Sequence, residues 1–232
     1  MPKYLVLIFT TLILSQAVYG QYDYDNRLKL EIAPYVWMTS MKGDLVIKGN
    51  PHAIDFSYDD FFRYSNLGLS GHVEVKKNRW AVMFEWNYID LLKDHTYTEL
   101  ALGEISAGFK VHENFEIIGG GRFFRTESEF PIADDGLAKK KVTWIDPIIG
   151  GRVSWDVTRS IVFTFRSDVG GFGIGSDLQV NLMAGVGYRL ANITFLGAYR
   201  IWYAKYENGS GANRFLYDIT TSGPGMAMLI HF

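Results

Sequence analysis

Charged side chains recur at every second position within stretches of otherwise apolar or small residues. Alternate residues of an extended strand point to the same side, so this spacing gathers the charges on one face. Acidic and basic residues are nearly equal in number on that face, which predicts a network of ion pairs between facing strands. The alternative is a charge-lined constriction that selects small solutes. The predicted set is Glu74, Glu85, Glu104, Arg122, Asp146, Arg152, Arg166, Asp168, Arg189 and Arg200, with Glu31, Glu116 and Lys110 on the same face.

Residues for other kinds of chemistry are sparse. The chain has no Cys, which excludes disulfides, thiolate metal sites and a Cys nucleophile. His95 follows Asp94 in a predicted loop, where a hydrolase site at the rim would need further groups to converge. His72 is expected to face inward near Glu74 as a hydrogen-bonding partner rather than as a metal ligand. We therefore expect no catalytic residue, no metal and no cofactor, and a protein that is not an enzyme.

The N-terminus predicts export. Lys3 precedes an apolar run over residues 4–14, and small residues follow up to Gly20. This order is typical of a secretory signal peptide, and the run is shorter than the ~20 residues of a membrane-spanning helix. We expect residues 1–20 to be removed and residues 21–232 to form one domain. The formal net charge of −2, without a basic patch, argues against a nucleic-acid partner.

Alternating stretches after the signal peptide predict long β-strands. Val180 and Leu182 alternate with Gln179 and Asn181, and similar runs of about 9–15 residues recur along the chain. A tilted transmembrane strand needs about 9–11 residues, whereas a soluble strand has about 5–6. The fold class is therefore all-β: a closed antiparallel up-and-down transmembrane β-barrel of about ten strands, with eight or twelve as alternatives. The strands are predicted at 28–41, 67–76, 80–91, 96–111, 115–127, 143–155, 161–171, 178–189, 193–206 and 215–232.

The connections alternate between short turns and longer segments. Short turns are predicted at 76–79, 112–114, 156–160 and 190–192, and longer segments at 43–66, 92–95, 128–142, 172–177 and 207–214. Outer-membrane barrels have short periplasmic turns and long outer loops, which orients the predicted barrel. Residues 44–64 are expected to form a small hairpin and a helical turn that either cap the barrel mouth or fold into it.

Aromatic residues mark the ends of the predicted strands next to the short turns. Trp80, Phe115, Trp155, Tyr188 and Phe232 form the aromatic girdle expected at a membrane interface. Phe232 also ends a strand whose last residues alternate in apolar character. This ending resembles the assembly signal of bacterial outer-membrane proteins, which implies that the barrel-assembly machinery is a partner during insertion.

Further stretches carry a wider resemblance. The chain resembles a family of small bacterial outer-membrane β-barrel proteins, described as porin-like or OmpA/OmpW-like. The resemblance is carried by residues 144–152 and 167–177, by Trp37 before Gly43, and by Tyr199 before Arg200. The resemblance implies a barrel surrounded by outer-membrane lipid, and it implies no substrate. We prefer a narrow porin-like channel for small solutes or ions. The alternatives are a plugged structural or surface-interaction barrel that uses segments 43–66 and 128–142, and a hydrolase at the rim.

Overall fold

The computed structural model of the protein describes residues 26–93, 95–132 and 136–232. The predicted signal peptide, residues 1–20, lies outside these ranges, as does Asp94 of the hypothetical rim site. Among the described residues, no helix is long and apolar enough to cross a membrane.

The described chain consists almost entirely of β-strands, because alternating side chains and β-branched or aromatic residues suit a pleated surface. The strands are β1 (Lys29–Trp37), β2 (Ser40–Ile47), β3 (Asn50–Phe56), β4 (Ser65–Lys77), β5 (Trp80–Lys93), β6 (Thr96–His112), β7 (Phe115–Ile132), β8 (Gly136–Asp156), β9 (Ile161–Gly171), β10 (Leu178–Leu190), β11 (Ile193–Asn208) and β12 (Phe215–His231). One α-helix, α1 (Tyr58–Tyr64), connects β3 to β4, and a 3₁₀ turn (Gly211–Asn213) precedes β12.

The strands close into an antiparallel barrel. The sheet contains 12 strands, and ten of them, β1 and β4 to β12, form a ring that the pairing of β1 with β12 completes. Backbone bonds from Phe232 N to Leu30 O (2.8 Å) and from Leu30 N to Phe232 O (3.2 Å) extend this seam. The prediction of a closed ten-stranded barrel is confirmed. We call the end that carries the turns at 77–80, 112–115, 156–161 and 190–193 the short-turn end, and the opposite end the long-loop end.

The outer face of the barrel is apolar. Its exposed side chains include Trp80, Val82, Phe84, Ile105, Ile117, Ile145, Ile149, Phe165, Val186, Phe195 and Ile201. The five residues of the predicted aromatic girdle are all exposed next to the short-turn end. A continuous apolar belt of this extent is incompatible with water and matches the lipid-facing band of a transmembrane barrel.

The two strands outside the ring, β2 and β3, form a hairpin at the long-loop end. β2 continues the course of β1 along β12, from Ser40 opposite Ser222 to Ile47 opposite Phe215. β3 then pairs with the other edge of β2. The sheet therefore has one hairpin more than the barrel needs for closure.

The prediction of a long loop at 128–142 was wrong. Apart from residues 133–135, this segment continues β7 and β8 as a paired hairpin, with Ser128 opposite Lys140. Lys139 Nζ lies 3.0 Å from the carboxylate of Glu127 on the neighbouring strand. Oppositely charged side chains on the two strands pair and stabilise the hairpin.

Candidate functional site in the barrel lumen

The lumen next to the short-turn end contains a cavity of about 400 Å³. We call this cavity the vestibule. Asn114 and Asp156 of the turns lie on its wall, so it reaches the short-turn end. Met183, Leu196 and Ala198 are among the apolar residues of its wall. Its charged or titratable lining residues include Glu31, His72, Glu74, Lys76, Glu85, Glu116, Arg152, Arg166 and Arg200.

Arg122 is the centre of a buried layer of charges farther inside the barrel. Its Nη2 donates to Glu104 Oε2 (2.7 Å) and to Asp168 Oδ1 (2.8 Å), and its Nη1 donates to Gln179 Oε1 (3.2 Å). Only 2% of its side chain is exposed. These bonds connect β7 to β6, β9 and β10, so one guanidinium joins a large part of the barrel wall.

Arg166 and Arg200 connect this layer to the vestibule. Arg166 donates to Glu104 Oε1 (2.6 Å) and to Asp168 Oδ2 (2.9 Å). Arg200 donates to Glu85 and, at 2.7 Å, to Asn181 Oδ1, and its guanidinium lies over the Trp37 ring. Arg166 lies between the carboxylates of Glu104 and Asp168, whereas Arg200 joins one carboxylate to an amide oxygen; each guanidinium satisfies more than one acceptor.

Arg152 forms a second group of ion pairs nearer the short-turn end. Its Nη1 donates to Glu74 Oε2 (3.0 Å) and its Nε donates to Glu116 Oε2 (3.0 Å). Lys76 Nζ lies 3.1 Å from the same Glu74 oxygen. We call these ion pairs, together with those of Arg122, Arg166 and Arg200, the ion-pair lattice.

Two residues of the predicted charge set have other surroundings. Arg189 pairs with Asp156 at 2.7 Å on the rim of the vestibule, where both side chains are partly exposed. Asp146 is fully buried but pairs with no cation among the described residues. It accepts hydrogen bonds from Trp144 Nε1 (3.0 Å), Ser176 N (2.6 Å), Ser176 Oγ (2.8 Å) and the Gln179 amide.

Asp146 therefore anchors the segment between β9 and β10 instead of balancing an arginine. Sequence reasoning missed Ser176 and Gln179 as its partners. Ser176 lies in a connection whose return into the barrel has no local sequence signal. Gln179 was recognised as inward-facing, but its partner depends on the order of the strands around the ring.

The lumen toward the long-loop end is filled by apolar side chains. Leu45 and Ile47 of β2 are fully buried among Phe124, Trp202 and Tyr217 of the wall. The Phe124 ring lies 5.1 Å from that of Trp202 and 5.2 Å from that of Tyr217, measured between centroids. We call this group the apolar plug; the β2–β3 hairpin supplies its inner side.

His52 attaches the hairpin to the opposite wall. Its ring stacks on Phe130 of β7 with centroids 4.4 Å apart, and its Nε2 lies 3.3 Å from Thr96 Oγ1. These contacts partly bury the His52 ring. Burial lowers the pKa of His52 from its ordinary value, because the charged imidazolium loses hydration. The hairpin is thus connected both to β12 through its backbone and to β6 and β7 through His52.

The residues of the hypothetical rim site do not form an arrangement that the structure describes. His95 is exposed in the turn between β5 and β6, with a backbone φ of 64°. Its sequence neighbour Asp94 lies outside the described residues.

No protein-family model matches the chain, and no curated protein is similar to it in sequence. Among solved structures, the outer-membrane protease OmpT from Escherichia coli is similar, with a TM-score of 0.51 and 9% identity over 93% of this chain and 100% of that chain. The translocator domain of the autotransporter NalP from Neisseria meningitidis matches with a TM-score of 0.40 and 10% identity, over 99% and 97% of the two chains. A Pseudomonas aeruginosa FadL homologue matches with a TM-score of 0.35 and 10% identity, over 90% of each chain. With its closed ring and apolar belt, the chain has the fold of the bacterial outer-membrane β-barrel proteins.

Proposed function

We propose that the protein is a narrow outer-membrane channel for small polar solutes or ions, held closed by the β2–β3 hairpin. The observation that carries this proposal is the difference between the two halves of the lumen. Toward the long-loop end the lumen is filled with apolar side chains, whereas toward the short-turn end it holds a cavity with charged walls. A lumen that only had to be filled could be apolar throughout, because buried ion pairs stabilise no better than well-packed apolar groups.

The ion-pair lattice is the proposed selectivity region. Arg166, Arg200 and Glu85 lie on the vestibule wall, and Arg166 also pairs with Glu104 and Asp168 of the buried layer. A solute that enters from the short-turn end meets alternating positive and negative groups at this level. Charged groups on the wall of a pore admit small charged or strongly polar solutes and exclude apolar solutes. A ten-stranded barrel is also too narrow for the wide aqueous channel of a large porin.

The apolar plug is the proposed gate. It lies between the lattice and the long-loop end, and its apolar surface resists wetting. Because the ring closes without β2 and β3, the hairpin can move while the barrel remains intact. A closed resting state and rare openings are therefore the expected behaviour of the protein.

The test uses a variant in which the hairpin is shortened. Lys42 and Asp55 are cross-strand partners, so an Asn-Gly turn that replaces residues 43–54 suits their geometry. We expect the refolded wild-type barrel to be almost silent in a planar bilayer and the shortened variant to give reproducible conductance steps. Arg166→Gln in the shortened background should shift the ion selectivity toward cations. A matched control, Lys42→Gln with Asp55→Asn, changes the exposed pair at the base of the hairpin but keeps residues 43–54, and it should remain silent.

A plugged surface-interaction barrel is the second candidate, and the fully buried Trp202, Phe124 and Tyr217 favour it. If a shortened variant that migrates as a folded, heat-modifiable barrel is silent, the channel proposal is wrong. The plugged barrel would then be preferred, and the protruding β7–β8 hairpin would be the surface to test for binding.

A further inference from the structure

Three side chains with metal-ligating atoms meet on the wall of the vestibule. Glu31 of β1 is the direct cross-strand partner of Glu74 of β4, and His72 stands two residues before Glu74 on the same face. One ligand atom from each of the three residues lies within 4.8 Å of the others. The register of two neighbouring strands therefore produces the cluster.

A cation lies between the two carboxylates. Like charges directly opposite on neighbouring strands repel each other. In this structure Lys76 supplies the charge, with Nζ 3.1 Å from Glu74 Oε2 and 3.7 Å from Glu31 Oε2. The Lys76 side chain is long and 32% exposed, so its ammonium can turn away into the vestibule. The ammonium contacts both carboxylates and is therefore the cation that a bound metal ion would displace.

His72 distinguishes the cluster from a simple ion pair. Its Nε2 lies 3.5 Å from Glu74 Oε2. A neutral imidazole contributes no charge to balance the two carboxylates, but it is a ligand that Zn²⁺ and similar transition metal ions prefer.

Neighbouring residues hold the two carboxylates in place. Arg152 bonds to Glu74, and His231 Nδ1 lies 3.2 Å from Glu31 Oε2. His231 Nε2 in turn lies 2.9 Å from Thr194 Oγ1, which fixes the orientation of its ring. Metal ligands in proteins are commonly oriented by hydrogen-bonding partners of this kind.

We infer that Glu31, His72 and Glu74 form a binding site for a divalent transition metal ion of the Zn²⁺ class. The sequence alone favoured His72 as a hydrogen-bonding partner. Three protein ligands leave one or more coordination positions open toward the vestibule, as in zinc sites that exchange a water or a substrate. The inference goes beyond the channel proposal and does not depend on whether the lumen conducts.

The experiment measures Zn²⁺ binding to the refolded, metal-stripped barrel in detergent by competition with a fluorescent chelator. We expect one Zn²⁺ per barrel, and we expect Glu31→Gln and His72→Asn each to weaken binding by at least about tenfold. The matched control is His112→Asn, which changes an exposed histidine at the end of β6 and should leave the affinity unchanged. Heat modifiability on a gel reports that every variant is folded.

Lys76→Met provides a test in the opposite direction. If the ammonium occupies the cation position, its removal should tighten Zn²⁺ binding, whereas a ligand change weakens it. Absence of stoichiometric binding to the wild type would overturn the inference. So would binding that survives both ligand changes in a folded barrel, or an affinity that Lys76→Met lowers.

Discussion

Arg152 on β8 donates a hydrogen bond of 3.0 Å to Glu74 on β4, although β5, β6 and β7 separate the two strands along the sheet. The bond therefore crosses the lumen. Glu116, on the strand next to β8, shares the same guanidinium. Links of this kind make the barrel interior one connected polar unit, in which the loss of a single side chain affects distant strands.

Arg152→Met should be strongly destabilising. The change leaves Glu116 without its arginine and leaves Glu74 with Lys76 alone, and an uncompensated buried charge costs about 3–5 kcal/mol. Urea unfolding of the refolded barrel measures the loss. Arg214→Gln is the control, because Arg214 pairs with Glu207 in an exposed position and such pairs contribute about 0–1 kcal/mol. Equal losses in the two variants would contradict the role given to the ion-pair lattice.

Asp146→Asn should release the segment between β9 and β10. Asparagine has an NH₂ group, which only donates hydrogen bonds, in place of one carboxylate oxygen. Ser176 and Gln179 both donate to Asp146, so at least one of these buried donors loses its acceptor. We expect a loss of about 1–3 kcal/mol in unfolding free energy and faster proteolysis within residues 172–177. Asp177→Asn, at an exposed neighbouring position, should change neither quantity. Unchanged proteolysis of the Asp146 variant would argue against the anchor.

Acidification should weaken the attachment of the hairpin at His52. Burial lowers the pKa of His52 in the folded state below its unfolded-state value of about 6.5, because the folded protein disfavours the charged imidazolium. The contribution of neutral His52 to the unfolding free energy is therefore fully present above the unfolded-state pKa. It is lost as the pH falls through the lower folded-state pKa. Between pH 7 and pH 5 the wild type should therefore lose stability relative to His52→Phe, which keeps a stacking ring but cannot be protonated. Urea unfolding at both pH values measures the difference. His112→Gln should follow the wild type, and a pH-independent difference for His52→Phe would contradict the prediction.

Phe232→Ala should impair assembly more than stability. The Phe232 side chain is 67% exposed, and its backbone bonds to Leu30 do not depend on the ring. We expect less folded protein in the outer membrane of expressing cells but nearly unchanged unfolding of the refolded barrel. Phe195→Ala removes a similarly exposed ring within β11 and is the control. Equal membrane levels of the two variants would exclude a specific terminal signal.

The position of the strands was predictable because alternation is a local property. The predicted strand at 178–189 became β10 (Leu178–Leu190), and the predicted strand at 161–171 became β9 (Ile161–Gly171). Each residue's inward or outward direction follows from its parity within the strand. The same logic missed the β7–β8 hairpin beyond residue 128. There Lys139 pairs with Glu127 across the strands, and Phe130 and Ala138 are buried among the apolar core residues.

Partners across the lumen were not predictable, because they depend on which strands face each other after closure. Parity placed Arg152, Glu74 and Asp146 inside, but it could not say that the first two bond and the third anchors a connection instead. The placement of the β2–β3 hairpin inside the barrel mouth is also decided by tertiary contacts. Residues 44–64 were compatible with either a cap or a plug, and the apolar surroundings of Leu45 and Ile47 exist only once the wall has formed.

The sequence by itself determined the all-β barrel, its inner and outer faces and its approximate number of strands, since period-two alternation and strand length need no partner. Only the tertiary structure decided the arrangement of the charges around Arg122, the filling of the lumen by the hairpin and the meeting of Glu31, His72 and Glu74. The physical reason is that side chains far apart in the chain become neighbours only through strand register and ring closure, which no local pattern encodes.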